Sequence, residues 1–179
     1  MSDAMHILAL PQHPGLLEAL GRLAVAHTHL ELILRYTVKT ISGVSVRDAL
    51  DATSGARISD VRRRIKKLFV QKKSPESEVV KLDALLNRAR LLSEARNDFL
   101  HSAWSQTEAG EAVRKREEDH QWVLAPSKED VDTVTVKIME LAGEINNARL
   151  HGFIYEIVKG KTEGTAGSPE SGRRREGRS

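Results

Sequence analysis

Cysteine is absent from the chain, which excludes a disulfide framework, a thiol nucleophile and a zinc site built on thiolates. Aromatic residues make up only 4% of it, few for a protein built on sheets. Long apolar runs are missing as well, and none approaches the roughly 20 residues that a membrane-spanning helix needs. The opening MSDAMHILALP has neither a basic start nor a small-residue cleavage pattern. The expectation is therefore a cytoplasmic protein with no secretory leader and no membrane partner.

Ala, Leu, Glu, Lys and Arg are plentiful, a composition that favours helices. With 179 residues and 40% hydrophobic content, the chain suits one domain with a real core. Its positive charge is unevenly placed. From Lys159 onward six Lys or Arg face three Glu, so this tail carries +3 and the remainder, with 22 of each sign, is neutral. The high isoelectric point belongs to the tail and is no argument that the folded part binds nucleic acid.

Taken in order, residues 1–13 read as an irregular lead-in ending at Pro11 and Pro14. A long helix follows from Gly15 to Ser42, with Leu16, Leu20, Leu23, Ala24, Leu30, Leu34, Val38 and Ile41 on one face, closed by Gly43. His27 and Glu31 interrupt that face, spaced so that they touch. Val44 to Ala52 reads as a short helix or connector, and Ile58 to Lys73 as an amphipathic helix with Ile58, Val61, Ile65, Leu68 and Phe69 inside. Its outer side carries Arg57, Arg62, Arg63, Arg64, Lys66, Lys67, Lys72 and Lys73 against Asp60 alone. Ser74-Pro75-Glu76 breaks the chain and starts the next helix.

That helix is the centre of the pattern. Residues 79–104, VVKLDALLNRARLLSEARNDFLHSAW, read as one long helix with Leu82, Leu85, Leu86, Ala89, Leu92, Leu100 and Ala103 on one arc. Arg96 falls near the middle of the arc, where a core leucine belongs, and needs a buried carboxylate, a wet cleft or a second subunit to be tolerated there. Residues 104–124 lose the helical period and read as a small β-hairpin or flap. Ser127 with Asp130 caps a last helix over Lys128–Val158. The expected architecture is all-α: a four-to-five-helix up-and-down bundle over 14–158, with the flap between its last two helices and a disordered basic tail over 159–179.

Arg96-Asn97-Asp98-Phe99-Leu100-His101, at the end of a bundle helix, resembles the signature of the HEPN superfamily: Arg, four to six residues, then His, with Asn often following the Arg. The flanking Leu91-Leu92-Ser93-Glu94-Ala95 and Ser102-Ala103-Trp104, with His27 and Glu31 upstream, extend the resemblance over about residues 15–158. The resemblance implies a metal-independent endoribonuclease acting as a homodimer, of toxin or defence type, with RNA as substrate and an antitoxin protein as a further partner. Carried over, His101 is the general acid/base for attack of the ribose 2′-hydroxyl on phosphorus. Arg96 stabilises the phosphoryl oxygens, and Asn97 orients the phosphate or the histidine. The products would carry 2′,3′-cyclic phosphate and 5′-hydroxyl ends. No cofactor is implied.

The residues themselves leave alternatives open. Positions five apart differ by about 140° around a helix, so Arg96 and His101 converge only if the arginine bends round or a partner subunit supplies one of them. Arg96 is also readable as half of a buried ion pair with Glu31, which would hold it in its working rotamer, and His101 as a helix-terminal histidine favoured by the dipole. His27 reads as a core histidine bonded to the flap. His27, His29 and Glu31 do not make a metal site, because i and i+2 point to different faces. The basic helix is a solvated face or an RNA phosphate track through Arg62, Arg63, Arg64, Lys66 and Lys67. The rival to the nuclease is a non-catalytic helical module of the same fold that dimerises or binds RNA or a nucleotide.

Overall fold

The computed structural model describes residues 13–116 and 118–163; the expected lead-in up to residue 12 and the tail from residue 164 lie outside them. Six helices and one small sheet make up the described fold: α1 (Pro14–Ser42), α2 (Val46–Asp51), α3 (Ile58–Gln71), α4 (Glu76–Leu100), β1 (Ala103–Gln106), β2 (Ala112–Lys115), β3 (Trp122–Leu124), α5 (Lys128–Leu150) and α6 (Phe153–Glu163). The all-α bundle with a flap between late helices is the observed architecture.

The ends of α1 follow from local chemistry. Proline occupies its first turn, where a missing N–H leaves nothing unpaired. Gly43, with φ +76°, takes the left-handed cap and donates its N–H to the Lys39 carbonyl at 2.9 Å. Between these ends Leu23, Leu30, Leu34, Val38 and Ile41 are fully buried. Each contributes about 1.5–3 kcal/mol by leaving water, and α1 packs against all five other helices. From α3 come Val61, Ile65 and Phe69, from α4 Leu82, Leu86 and Ala89, and from α5 Val131, Ile138, Leu141 and Ile145. Ser127 and Asp130 form the expected capping box at the start of α5.

Three elements differ from the periodic pattern. The central helix stops at Leu100, so Ala103 and Trp104 belong to β1. Their apolar spacing continues the helical arc by coincidence, while the backbone leaves it after the His101 cap. The flap has three strands, antiparallel in the order β1-β2-β3, with Trp104, Arg114 and Val123 in register across it. Gly110 (φ +83°) lies in the first connection and His120 (φ +56°) in the second. The last helix is broken at His151-Gly152, and α6 then runs to Glu163 rather than ending at Val158. A Cβ on Gly152 would stand 3.0 Å from the Ala148 Cα. That close approach favours glycine at the turn. Phe153 opens α6 with an edge-to-face contact on Phe69, centroids 5.9 Å apart.

Candidate functional site

The last carbonyls of a helix have no intrahelical donor, and at the end of α4 the flap supplies them. Trp104 Nε1 donates to the Phe99 carbonyl at 3.0 Å, and Ser102 Oγ donates to that of Asp98. Arg114 of β2 reaches the same Asp98 with Nη1, 3.1 Å from its carbonyl and 2.6 Å from its carboxylate, while lying over the Phe99 ring. A mostly buried cation thus sits at the negative end of the helix dipole. The sheet is therefore the cap that ends α4 and fixes where His101 begins. Arg114 and Trp104 were missed as site-building residues, because nothing local ties them to positions 98 and 99.

Arg96, Asn97 and His101 meet at this end within one chain. Arg96 Nη1 donates to Asn97 Oδ1 at 3.0 Å and lies 3.1 Å from His101 Nε2. A guanidinium has no acceptor, so Nε2 accepts and the neutral ring carries its proton on Nδ1. The arginine bends round to close the angular gap, and a second subunit is not needed to bring the pair together. Asn97 and His101 are exposed, whereas Arg96 is half-buried.

The expected ion pair between Arg96 and Glu31 is not among the contacts that either makes. Glu31 Oε1 faces His27 Nδ1 at 3.5 Å instead. His27 is 3% exposed, and its Nε2 lies 3.1 Å from Ser93 Oγ, not against the flap. The serine proton goes to the Ala89 carbonyl at 2.7 Å, so the hydroxyl accepts from His27 Nε2–H. Burial holds the His27 pKa below its ordinary value, and the Arg96 charge lowers it further against the opposing pull of Glu31. Ser93 completes the buried stripe Leu82, Leu86, Ala89 of α4; a small hydroxyl at an inward position was the signal for it.

Arg96 occupies the inward stripe without entering the core. A cavity of about 440 Å³ opens there between α1, α3 and α4, bordered by His27, Glu31, Arg57, Arg62, Arg90 and Arg96. It adjoins a second hollow of about 500 Å³ farther along the α3–α4 groove, which shares Ser59, Arg62 and Arg90 with it and adds Arg63 and Lys66. The expected cation track is partly held by its own neighbours, two of its members by acids and one by a carbonyl. Arg63 pairs with Asp60, Lys66 with Asp83 at 2.7 Å, and Arg64 donates to the Ala52 carbonyl at 2.9 Å. Lys67 is exposed on the outside of α3, and Arg62 turns into the groove, half-buried.

No family model matches the chain, and neither the curated proteins nor the solved structures contain a match. No helix among the described residues is long and apolar enough to cross a membrane.

Proposed function

We propose that the protein is a metal-independent endoribonuclease of HEPN type, cutting RNA at the end of α4. One observation carries this reading: Arg96 Nη1 lies 3.1 Å from the unprotonated Nε2 of His101, on an exposed helix end beside a cationic groove. A fixed cation suits a phosphoryl oxygen, and an imidazole lone pair suits a 2′-hydroxyl proton. In the resting arrangement they occupy one another. When a phosphate draws the Arg96 guanidinium away, Nε2 is released to take the proton of the ribose 2′-hydroxyl. The oxygen then attacks the adjacent phosphorus, the P–O5′ bond breaks, and the 5′-oxygen leaves with the proton that His101 took from the 2′-hydroxyl. The products are a 2′,3′-cyclic phosphate and a 5′-hydroxyl. Arg96 meets the charge that grows on the phosphoryl oxygens, and Asn97, through Oδ1, holds the arginine at the site.

Action as a homodimer and restraint by an antitoxin protein, as in a toxin or defence system, belong to the same proposal. The rival reading, a non-catalytic RNA- or nucleotide-binding module, draws on the cationic groove alone. Labelled single-stranded RNA incubated with the protein in EDTA separates the two. Cleavage by the wild type and not by His101→Ala supports the nuclease. Binding without cleavage, or equal cleavage by both proteins, rejects it.

A further inference from the structure

Thirteen arginines lie among the described residues, and nearly all are satisfied by an acid, a carbonyl or an aromatic ring. Arg22, Arg47, Arg63, Arg88, Arg90, Arg114 and Arg116 pair with carboxylates. Arg35 and Arg64 donate to backbone carbonyls, and Arg149 to Asn146 while lying over Tyr36. Three remain, and all three border the 440 Å³ cavity. Arg57 and Arg62 make no described hydrogen bond or ion pair, and Arg96 touches only the neutral Asn97 and His101. The Nε atoms of Arg62 and Arg96 are also sealed from solvent with no acceptor, as are those of Arg114, Arg116 and Arg149.

The charge of the cavity specifies the ligand further. Arg90 is cancelled by Glu94, at 2.7 Å. Glu31 offsets one of the other three cations, so four arginines less two glutamates leave +2. His27 adds nothing while neutral. A phosphodiester inside an RNA strand carries one negative charge, whereas a phosphomonoester above its second pKa carries two. Ile58 and Ser59, in the first turn of α3, also border the cavity, and their amides have no described acceptor. We propose that this cavity binds a phosphomonoester dianion, the terminal phosphate of an RNA or of a free nucleotide, through Arg57 and Arg62, with Arg96 at its border left for the scissile phosphate. The site deepens the nuclease reading: an RNA anchored by its phosphorylated end would lie across His101 at a fixed distance from that end.

Binding is measured by calorimetry at pH 8, free of phosphate and sulfate, on the full chain carrying His101→Ala, so that RNA is not consumed. The 5′-phosphorylated trinucleotide pUUU is expected to bind about tenfold more tightly than UUU, as suits added charge-assisted hydrogen bonds. Arg62→Gln removes the difference, and Arg57→Gln, at an exposed helix cap, serves as the second variant if the first fails to fold. Adenosine 5′-monophosphate against adenosine gives the other arm. A monophosphate preference as large as that of pUUU supports the site with a free nucleotide as occupant, and a preference confined to pUUU supports it with an RNA end. Equal binding of pUUU and UUU, or a preference that survives both substitutions, overturns the site. Because His101 is already replaced, that failure is separate from a failure of the wild type to cut RNA.

Discussion

His27 and His101 are one chemical group in opposite surroundings. His27 is 3% exposed, donates to Ser93 and is held below its ordinary pKa by burial and by Arg96. Its folded pKa lies under the unfolded value of about 6.5, so the unfolded chain binds more protons as pH falls through that window. The stability it contributes is present above pH 6.5 and is lost as pH falls toward the folded pKa. His27→Gln retains an N–H for Ser93 and cannot be charged. Thermal melts between pH 7.5 and 5.0 should therefore show a shallower acid loss for the variant; an unchanged slope would contradict a neutral His27. The exposed His101 makes the reverse case. His101→Ala should alter stability by no more than about 0.5 kcal/mol while lowering RNA cleavage by about 10²–10⁴-fold, read from melts and initial rates on one preparation. The oddity of Arg96 was legible in the sequence, from a cation placed on an apolar arc; Asn97 and His101 were joined to it by the resemblance to the HEPN signature, and the structure places the three side chains together. The Glu31–Arg96 pair was not formed, because the nearer partner of Glu31 is four residues away on its own helix.

Among the elements, those whose ends are set by local chemistry were the legible ones. Gly43 closes α1 and the Ser127–Asp130 box opens α5 as expected, since each signal acts within a few residues. The end of α4 carries no such mark. Its stop depends on Arg114 and Trp104, which reach Asp98 and Phe99 only once the sheet has formed. The break before α6 was signalled by Gly152, but the apolar period on both sides masked it. Arg114→Ala tests the capping role. It removes the cation from the Asp98 carboxylate and the helix end, leaving Ser102 on the Asp98 carbonyl, and should lower stability by about 1 kcal/mol, with a loss of RNA cleavage as His101 loses its support. A variant that melts and cuts like the wild type would remove the sheet from the account of the site.

Over the whole molecule, overall charge says little and its pairing says more. The basic side of α3 reads in sequence as a track of eight cations, yet Arg63, Arg64 and Lys66 are held by their own neighbours. Among the described arginines, those without an acid, carbonyl or ring partner are Arg57, Arg62 and Arg96, and they face one cavity. For single strands the logarithm of affinity falls with the logarithm of salt by about 0.7 per phosphate contact. Three contacts give a slope near −2 and eight give a slope of about −5 or −6. Titration of a short RNA from 50 to 300 mM NaCl should return the smaller slope, and the larger would restore the outer track. The central claim is that the ribose 2′-hydroxyl is the nucleophile activated at the end of α4. Mass spectrometry of the products of one oligonucleotide, made once as RNA and once with 2′-O-methyl groups throughout, tests it most directly. The account predicts fragments ending in 2′,3′-cyclic phosphate from the RNA in EDTA and an intact methylated strand; 5′-phosphate fragments, or cutting of the methylated strand, would contradict it.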